Sequence, residues 1–256
     1  CCGYPLLAAG GADKYEENLQ HNRQVIAATL QAAYEAGFDV NMLVTACGSC
    51  RDSLMRHGIT GTDGNVLPHN DIVQLLVDRL PHGVEVSDEH IIYHSSCHPA
   101  WSGVKATKDG GKVARALERI TGASILINPG CCGESGAGAY TCPDIYNVLR
   151  ERKRDRLQSA LAGYKADAPI LVGCPSCKIG IARTLMTMDM SHPARGKNKA
   201  AGDTPVIDTH RPVLHNAEWL AETLLGKNWL ALFKAQASRT EGHPGVRVVC
   251  MEEKKR

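Results

Sequence analysis

Residues 124–140 read SILINPGCCGESGAGAY, an apolar run that ends in the triplet Cys131-Cys132-Gly133. The same triplet opens the chain as Cys1-Cys2-Gly3, an offset of 130. Cys47-Gly48-Ser49-Cys50 returns as Cys174-Pro175-Ser176-Cys177, an offset of 127. Two motifs recurring at nearly one interval mark an internal repeat, which constrains the architecture before any single element does. Each copy carries the same order of signals: a Gly-rich loop, a charged segment of helical period, a short apolar run, then CxxC. Strands alternating with helices in this way predict an α/β fold with parallel strands.

In the first copy a helix is expected over 13–36, with Tyr15, Leu19, Ile26, Leu30 and Ala33 at helical spacing and Gly37 as its stop. A buried strand follows at 41–46. In the second copy Pro143 suits a first helical turn, the helix runs to about 162, and 169–172 is the strand. Between the copies, 70–80 and 112–120 read as helices and 91–94 and 124–127 as strands. Beyond the second CxxC, 191–204 reads as a basic, solvated linker. A helical pair follows at 214–225 and 228–236 around Trp219 and Trp229, both read as core packing, and a last strand at 246–251. The organisation is two Cys-Cys-Gly modules, 1–88 and 89–190, each a parallel strand–helix unit, then a linker and helical tail at 191–256. Cys1 opens the chain on a motif, which reads as part of a longer polypeptide.

Among 256 residues, 29 Lys and Arg nearly balance 27 Asp and Glu, so no basic nucleic-acid surface organises the chain. Only 5% is aromatic, which argues against a repeated base-stacking platform. No apolar run approaches the ~18–20 residues that cross a bilayer. The eleven cysteines are the anomaly, because nine of them fall in the repeated motifs or at Cys97.

In the second copy Cys97 precedes Cys131 and Cys132 by 33 intervening residues, and Cys174 follows after a further 41, with Cys177 closing the set. These positions fall at or after strand ends, which converge on one edge of a parallel sheet. Both CxxC motifs enter expected helices at 49–54 and 176–186, whose amide N–H groups stabilise thiolates. No secretory signal is read, so a reducing, cytoplasmic setting is expected and structural disulfides do not fit. Thioredoxin-type dithiol chemistry leaves the adjacent pairs and Cys97 unused. Zinc takes four thiolates, whereas a multi-iron cluster accommodates five, adjacent ones included. Metal binding is indicated, with zinc and iron both open at this level.

The spacing C-x33-CC-x41-CxxC, with CCG before a Gly-rich turn, resembles the cysteine-rich CCG domain. That domain occurs in the B subunit of heterodisulfide reductase, in the iron–sulfur subunits of glycolate and lactate oxidases, and in related oxidoreductases. CCGYPLLAAG (1–10), LVTACGSC (43–50), YHSSCHPAW (93–101) and CCGESGAGAY (131–140) are most similar to the C-terminal region of large bacterial fusions. Those fusions carry an FAD dehydrogenase domain and ferredoxin-like clusters ahead of this region and are assigned to D-lactate or other 2-hydroxy acids. The resemblance implies an iron–sulfur cluster of the four-iron four-sulfur type, noncubane in heterodisulfide reductase, on Cys97, Cys131, Cys132, Cys174 and Cys177. It implies a second metal site, iron–sulfur or zinc, on Cys1, Cys2, Cys47 and Cys50, with a further cysteine upstream of residue 1.

The function so implied is the electron-transfer part of a flavin-dependent 2-hydroxy acid dehydrogenase. Its FAD lies on a partner domain, its acceptor is a quinone or another carrier, and its place is the cytoplasm or the inner membrane face. Two rival readings stand beside it: a heterodisulfide-reductase-like component reducing a disulfide at a noncubane cluster, and a zinc-stabilised interaction module without redox work. One departure is Ser95-Ser96-Cys97-His98, where relatives carry Asp-Pro-Cys-His.

His94 and His98 flank Cys97 and are expected either to hydrogen-bond cluster sulfur and relay protons or to serve packing. Glu134, beside Cys132, is read as a proton acceptor or as a partner of the turn's N–H groups. The Gly-rich run lacks the GK[ST] ending of a phosphate loop. Cys142 and Cys250 fall outside both motifs and are read as ordinary buried thiols.

Overall fold

The structure, a computed structural model, describes residues 1–79, 90–98, 106–134, 138–162, 164, 168–189 and 211–239. The linker at 191–204, the strand at 246–251 and Cys250 lie outside them. Chain order begins with helices α1 (Tyr4–Ala8) and α2 (Ala12–Glu35), strand β1 (Leu43–Thr45), α3 (Gly48–Met55), β2 (His69–Asp71) and α4 (Ile72–Arg79). It continues through β3 (His90–Ser95), α5 (Ala106–Thr121), β4 (Ser124–Pro129), α6 (Gly138–Thr141), α7 (Pro143–Leu161), β5 (Ile170–Val172) and α8 (Pro175–Asp189). Strand β6 (Val213–His215), α9 (Asn216–Leu225) and α10 (Trp229–Arg239) close the described chain.

Every pairing between these strands is parallel. β1 pairs with β2, and a second sheet has the order β4-β3-β5-β6. The chain is therefore an α/β protein. Both faces of the larger sheet are covered, as parallel sheets require. Period-two alternation sends Ile91, Tyr93 and Leu171 toward α4, α5 and α9, where Val77, Val113, Leu117, Ile120 and Trp219 pack. Ile92, Ile170 and Val172 point the other way, onto Leu157, Leu161, Ile181 and Leu185 of α7 and α8. Cys132, Cys174 and Cys177 belong to that second cluster. A smaller core under α2 gathers Leu30, Ile59 and Leu67.

The helix expected from residue 13 ends in a Schellman motif. Phe38 N–H reaches Ala33 O (2.9 Å), Gly37 N–H reaches Tyr34 O (2.9 Å), and Gly37 has φ +83°. The expected helix at 70–80 begins two residues later, because His69–Asp71 pairs as β2 and Asp71 Oδ1 accepts from Val73 N–H at 2.8 Å. Likewise the segment from 214 opens as β6 before turning into α9. Two expectations of burial are corrected. Cys142 is exposed, because it N-caps α7 where residues 140–145 face solvent. Trp229 is half-buried rather than core, because α10 packs chiefly against α9 among the described elements and leaves most of its face to solvent, while Trp219 is buried at 4%.

Candidate metal centre

Each motif builds the same local geometry in both copies. Gly3 (φ +86°) and Gly133 (φ +72°) adopt the left-handed conformation that favours glycine. The turn brings the next N–H back onto sulfur: Tyr4 N–H meets the Cys2 sulfur and Glu134 N–H the Cys132 sulfur. Gly133 N–H also donates to Cys131 Sγ at 3.4 Å. Both CxxC motifs leave a strand end and open a helix, with Arg51 N–H to Cys47 O at 2.9 Å and Lys178 N–H to Cys174 O at 3.0 Å. Cys47 accepts the Cys50 N–H, and Cys174 accepts those of Ser176 and Cys177. Sulfur therefore sits at the positive ends of α3 and α8.

Eight of these sulfurs form one string. Cys2 contacts Cys50, Cys50 contacts Cys47, and Cys47 Sγ lies 3.6 Å from Cys174 Sγ. Cys174 contacts Cys177, Cys177 contacts Cys132, Cys132 contacts Cys131, and Cys131 contacts Cys97. S–H donation from neighbours, working against burial, pulls the Cys50 thiol down to about 3 and those of Cys131 and Cys174 down to about 2. The donors Cys2, Cys47, Cys97 and Cys177 are pushed up by the same bonds and then by burial. These shifts move Cys50, Cys131 and Cys174 toward thiolate, the form that binds metal.

The structure brings all nine expected cysteines to one region. Cys1, Cys2, Cys47 and Cys50 line an open cavity of about 390 Å³, to whose lining Pro175 of the second motif also contributes. Cys1 is exposed and joins only through that lining. Among the described residues, a ring nitrogen of His94 and the sulfurs of Cys132 and Cys177 lie within 4.8 Å of one another. His94 is fully buried, neither ring nitrogen has a hydrogen-bond partner, and burial followed by the Lys153 charge pushes it down to about 3. Sulfurs on one tetrahedral metal at ~2.3 Å stand ~3.8 Å apart. At 3.6 Å, Cys47 and Cys174 stand as close as ligands within one metal–sulfur group, so the two expected sites adjoin, and His94 lies beside Cys132 and Cys177 of the second.

The flanking residues divide by what they touch. His98 Nδ1–H donates to Asp52 Oδ2 at 2.7 Å, leaving Nε2 to accept the Tyr4 hydroxyl at 2.5 Å. Burial and then the Cys97 charge push Tyr4 up to about 12, so its hydroxyl keeps its proton. The carboxylate of Glu134 is taken up by Arg183 Nη1 at 2.6 Å and Arg150 Nη2 at 4.0 Å, which braces the Cys132 turn. Tyr4, Asp52 and Lys153 were not singled out by sequence. The first two lie just after a cysteine motif, which was the available signal; Lys153 hides in a charged helix.

The family model described as the cysteine-rich domain, CCG, matches residues 91–182. This segment matches the CCG cysteine-rich domain. It contains β3, α7, β5 and the sulfurs from Cys97 to Cys177. The chain is 26% identical over 188 residues to the B subunit of the fumarate reductase (CoM/CoB) of Methanothermobacter marburgensis, covering 72% of this chain and 34% of the relative. It is 23% identical over 185 residues to an uncharacterized iron–sulfur protein of Methanococcus maripaludis, again 72% and 34%. The chain thus spans about a third of the length of the curated relatives it matches. No solved structure matches. The matched segment takes in Cys97, Cys131, Cys132, Cys174 and Cys177, the second-copy part of the sulfur string. Among the described residues, no helix is long and apolar enough to cross a membrane.

Proposed function

We propose that this chain is the cluster-bearing region of a heterodisulfide-reductase-like enzyme that reduces a disulfide to two thiols. The observation that carries the reading is the continuous string of eight sulfurs joined at Cys47 and Cys174. The cluster proposed for Cys97, Cys131, Cys132, Cys174 and Cys177 is of the four-iron four-sulfur, noncubane type, with a second metal site on Cys1, Cys2, Cys47 and Cys50. When bound, such clusters supply one-electron chemistry. Disulfide reduction consumes two electrons and two protons. The residues that hold a proton beside Cys97 are Tyr4, at Oη, and His98, at Nδ1, with Asp52 fixing the ring orientation. His94 is placed to donate an N–H to cluster sulfur or to offer a lone pair to metal. Electrons are proposed to arrive from a partner carrying FAD and ferredoxin-like clusters, in the same polypeptide or complex.

A second reading keeps the same centre as the relay of a 2-hydroxy acid dehydrogenase, passing electrons to a quinone; it rests on the four sequence stretches that resemble the flavin fusions. The names of the curated relatives favour the first.

The deciding experiment is anaerobic purification of the complete protein with iron, zinc and sulfide analysis, visible absorbance and paramagnetic resonance. Reduced viologen dye is then offered with a small organic disulfide, and oxidised dye with D-lactate or glycolate. Bound iron and disulfide-dependent dye oxidation are expected. Dye reduction by hydroxy acid alone would select the second reading, and a colourless zinc protein would remove both.

A further inference from the structure

Lys153 lies in the middle of Arg-Glu-Arg-Lys-Arg-Asp-Arg on α7, yet it is 1% exposed. Its Nζ donates to Asn128 Oδ1 at 2.5 Å, Asn128 O at 3.2 Å and Pro129 O at 3.2 Å, all neutral oxygens. Among the described residues no carboxylate pairs with it. Arg51, the other deeply buried cation near the sulfurs, does have such a partner, Asp52 Oδ1 at 2.9 Å. A buried ammonium without an anion is costly. The cost is visible: burial pulls Lys153 down to about 7, with the Arg156 charge acting the same way, while the nearby cysteines Cys177, Cys132 and Cys131 work in the opposite direction. Asn128 and Pro129 end β4 and lead directly into Cys131-Cys132, so the ammonium is anchored behind the CCG turn. The same cation bears on His94, whose ring faces Cys132 and Cys177.

We propose that Lys153 is the built-in counter-charge of the second thiolate pocket, favouring the more reduced, more negative state of the cluster held there. The proposal rests on the iron–sulfur reading above. Adding one electron from an external reductant adds one negative charge; no bond forms or breaks and Lys153 keeps its proton. A fixed buried cation close by lowers the cost of that charge, and local charge is among the factors that set iron–sulfur potentials. A purely bracing role, tying residues 128–129 to α7, makes a different demand. It needs donors whether or not metal is present, whereas a buried ammonium bonded only to neutral oxygens is a net cost that the added negative charge of a cluster offsets.

The test uses the complete protein as wild type, Lys153→Met and Lys153→Arg, reconstituted anaerobically with iron and sulfide and titrated with dithionite under paramagnetic resonance. Lys153→Met is expected to load iron but to shift its midpoint potential downward. The shift expected is at least tenfold in the reduced-to-oxidised ratio at fixed potential, about 59 mV for one electron. Lys153→Arg stays near wild type. In metal-free protein at pH 6, Lys153→Met is expected to resist urea at least as well as wild type. Loss of iron uptake in Lys153→Met alone, with metal-free stability kept, is the same result in stronger form. An unshifted potential overturns the proposal, and so does a metal-free Lys153→Met that is less stable than wild type or fails to fold. If wild type itself takes up no iron, the iron–sulfur reading fails, while the metal-free comparison still judges Lys153.

Discussion

Cys47 Sγ lies 3.6 Å from Cys174 Sγ although 127 positions separate them in the chain. Each is the first cysteine of a CxxC, each follows the end of a parallel strand, and each stands at the start of a helix. The two copies of the repeat therefore present equivalent sulfurs to one another. What reads along the sequence as two separate sites is one sulfur surface in space.

The junction predicts an asymmetry among single cysteine substitutions. Cys174→Ala removes a favoured thiolate that touches both Cys47 and Cys177, so it is expected to deplete metal from the whole string. Cys142→Ala changes an exposed thiol outside the string and is expected to leave metal content untouched. Iron and sulfide per chain, with the visible spectrum, check both. Equal losses in the two variants would show that the string does not define the site.

Much of this arrangement was legible in the sequence because the informative residues were periodic or repeated. Gly37, Pro143 and the apolar runs at 91–94 and 169–172 placed their elements within a residue or two. The polar strand His69–Asp71 and the short Val213–His215 were hidden, since three residues carry no period and their pairing depends on distant partners. Lys153 was hidden for the opposite reason: its neighbours Arg152 and Arg154 mark a solvated helix face, and only the packing of α7 on β4 turns position 153 inward. The Cys47–Cys174 meeting had no signature in spacing at all, being a property of how the two copies dock.

His98 ties the first cysteine motifs to the Cys97 loop, and its loss has a predicted sign. Burial works to raise the Asp52 pKa, but hydrogen bonds from His98 and Arg51 outweigh it and the net shift is downward. The stability Asp52 contributes is thus present above its unfolded value of about 3.9 and is lost as pH falls through the folded value. In His98→Ala the folded value rises, so that loss begins at higher pH. At neutral pH the variant is expected to lose about 1–3 kcal/mol, and Tyr4→Phe about 0.5–1.5 kcal/mol. Urea unfolding across pH 3–7 would expose a wrong assignment as an unchanged acid limb.

His215 provides a second pH dependence, beside the residues that lead into Cys47 and Cys174. Its Nδ1 accepts Ala217 N–H at 3.2 Å and caps α9, and burial holds its pKa below the usual 6.5. Above about 6.5 it is neutral in both states and its cap is intact. Below that, the unfolded chain binds a proton that the folded state refuses, so stability falls with pH, by at most about 1.4 kcal/mol per unit. His215→Asn, which caps without titrating, is expected to flatten this part of the curve in metal-free protein. Identical slopes for the two proteins between pH 6.5 and 5 would exclude His215 as the source.

Gly180 sets helix propensity against close packing, so the direction of its effect is informative. A Cβ there would lie 2.9 Å from Glu134 Cβ, 3.0 Å from Cys132 O and 3.1 Å from Cys132 Cβ, all atoms close to the main chain that cannot swing aside. Propensity alone would reward Gly180→Ala inside α8 by about 1 kcal/mol. Overpacking costs about 1–3 kcal/mol, and here it falls on the turn that aims Cys132. Gly180→Ala is therefore expected to be destabilising, with metal uptake lost before the fold. Gly48→Ala should behave alike, since its Cβ would meet His98 O at 2.5 Å and His98 C at 3.1 Å. Gly111→Ala in α5 is the contrast: its Cβ would meet only the flexible end of Arg115, nearest at 3.2 Å, and a gain of about 0.5–1 kcal/mol is expected. Thermal unfolding of the three variants beside iron analysis separates the cases. If Gly180→Ala gained stability like Gly111→Ala, α8 would not press on the Cys132 turn as the structure shows.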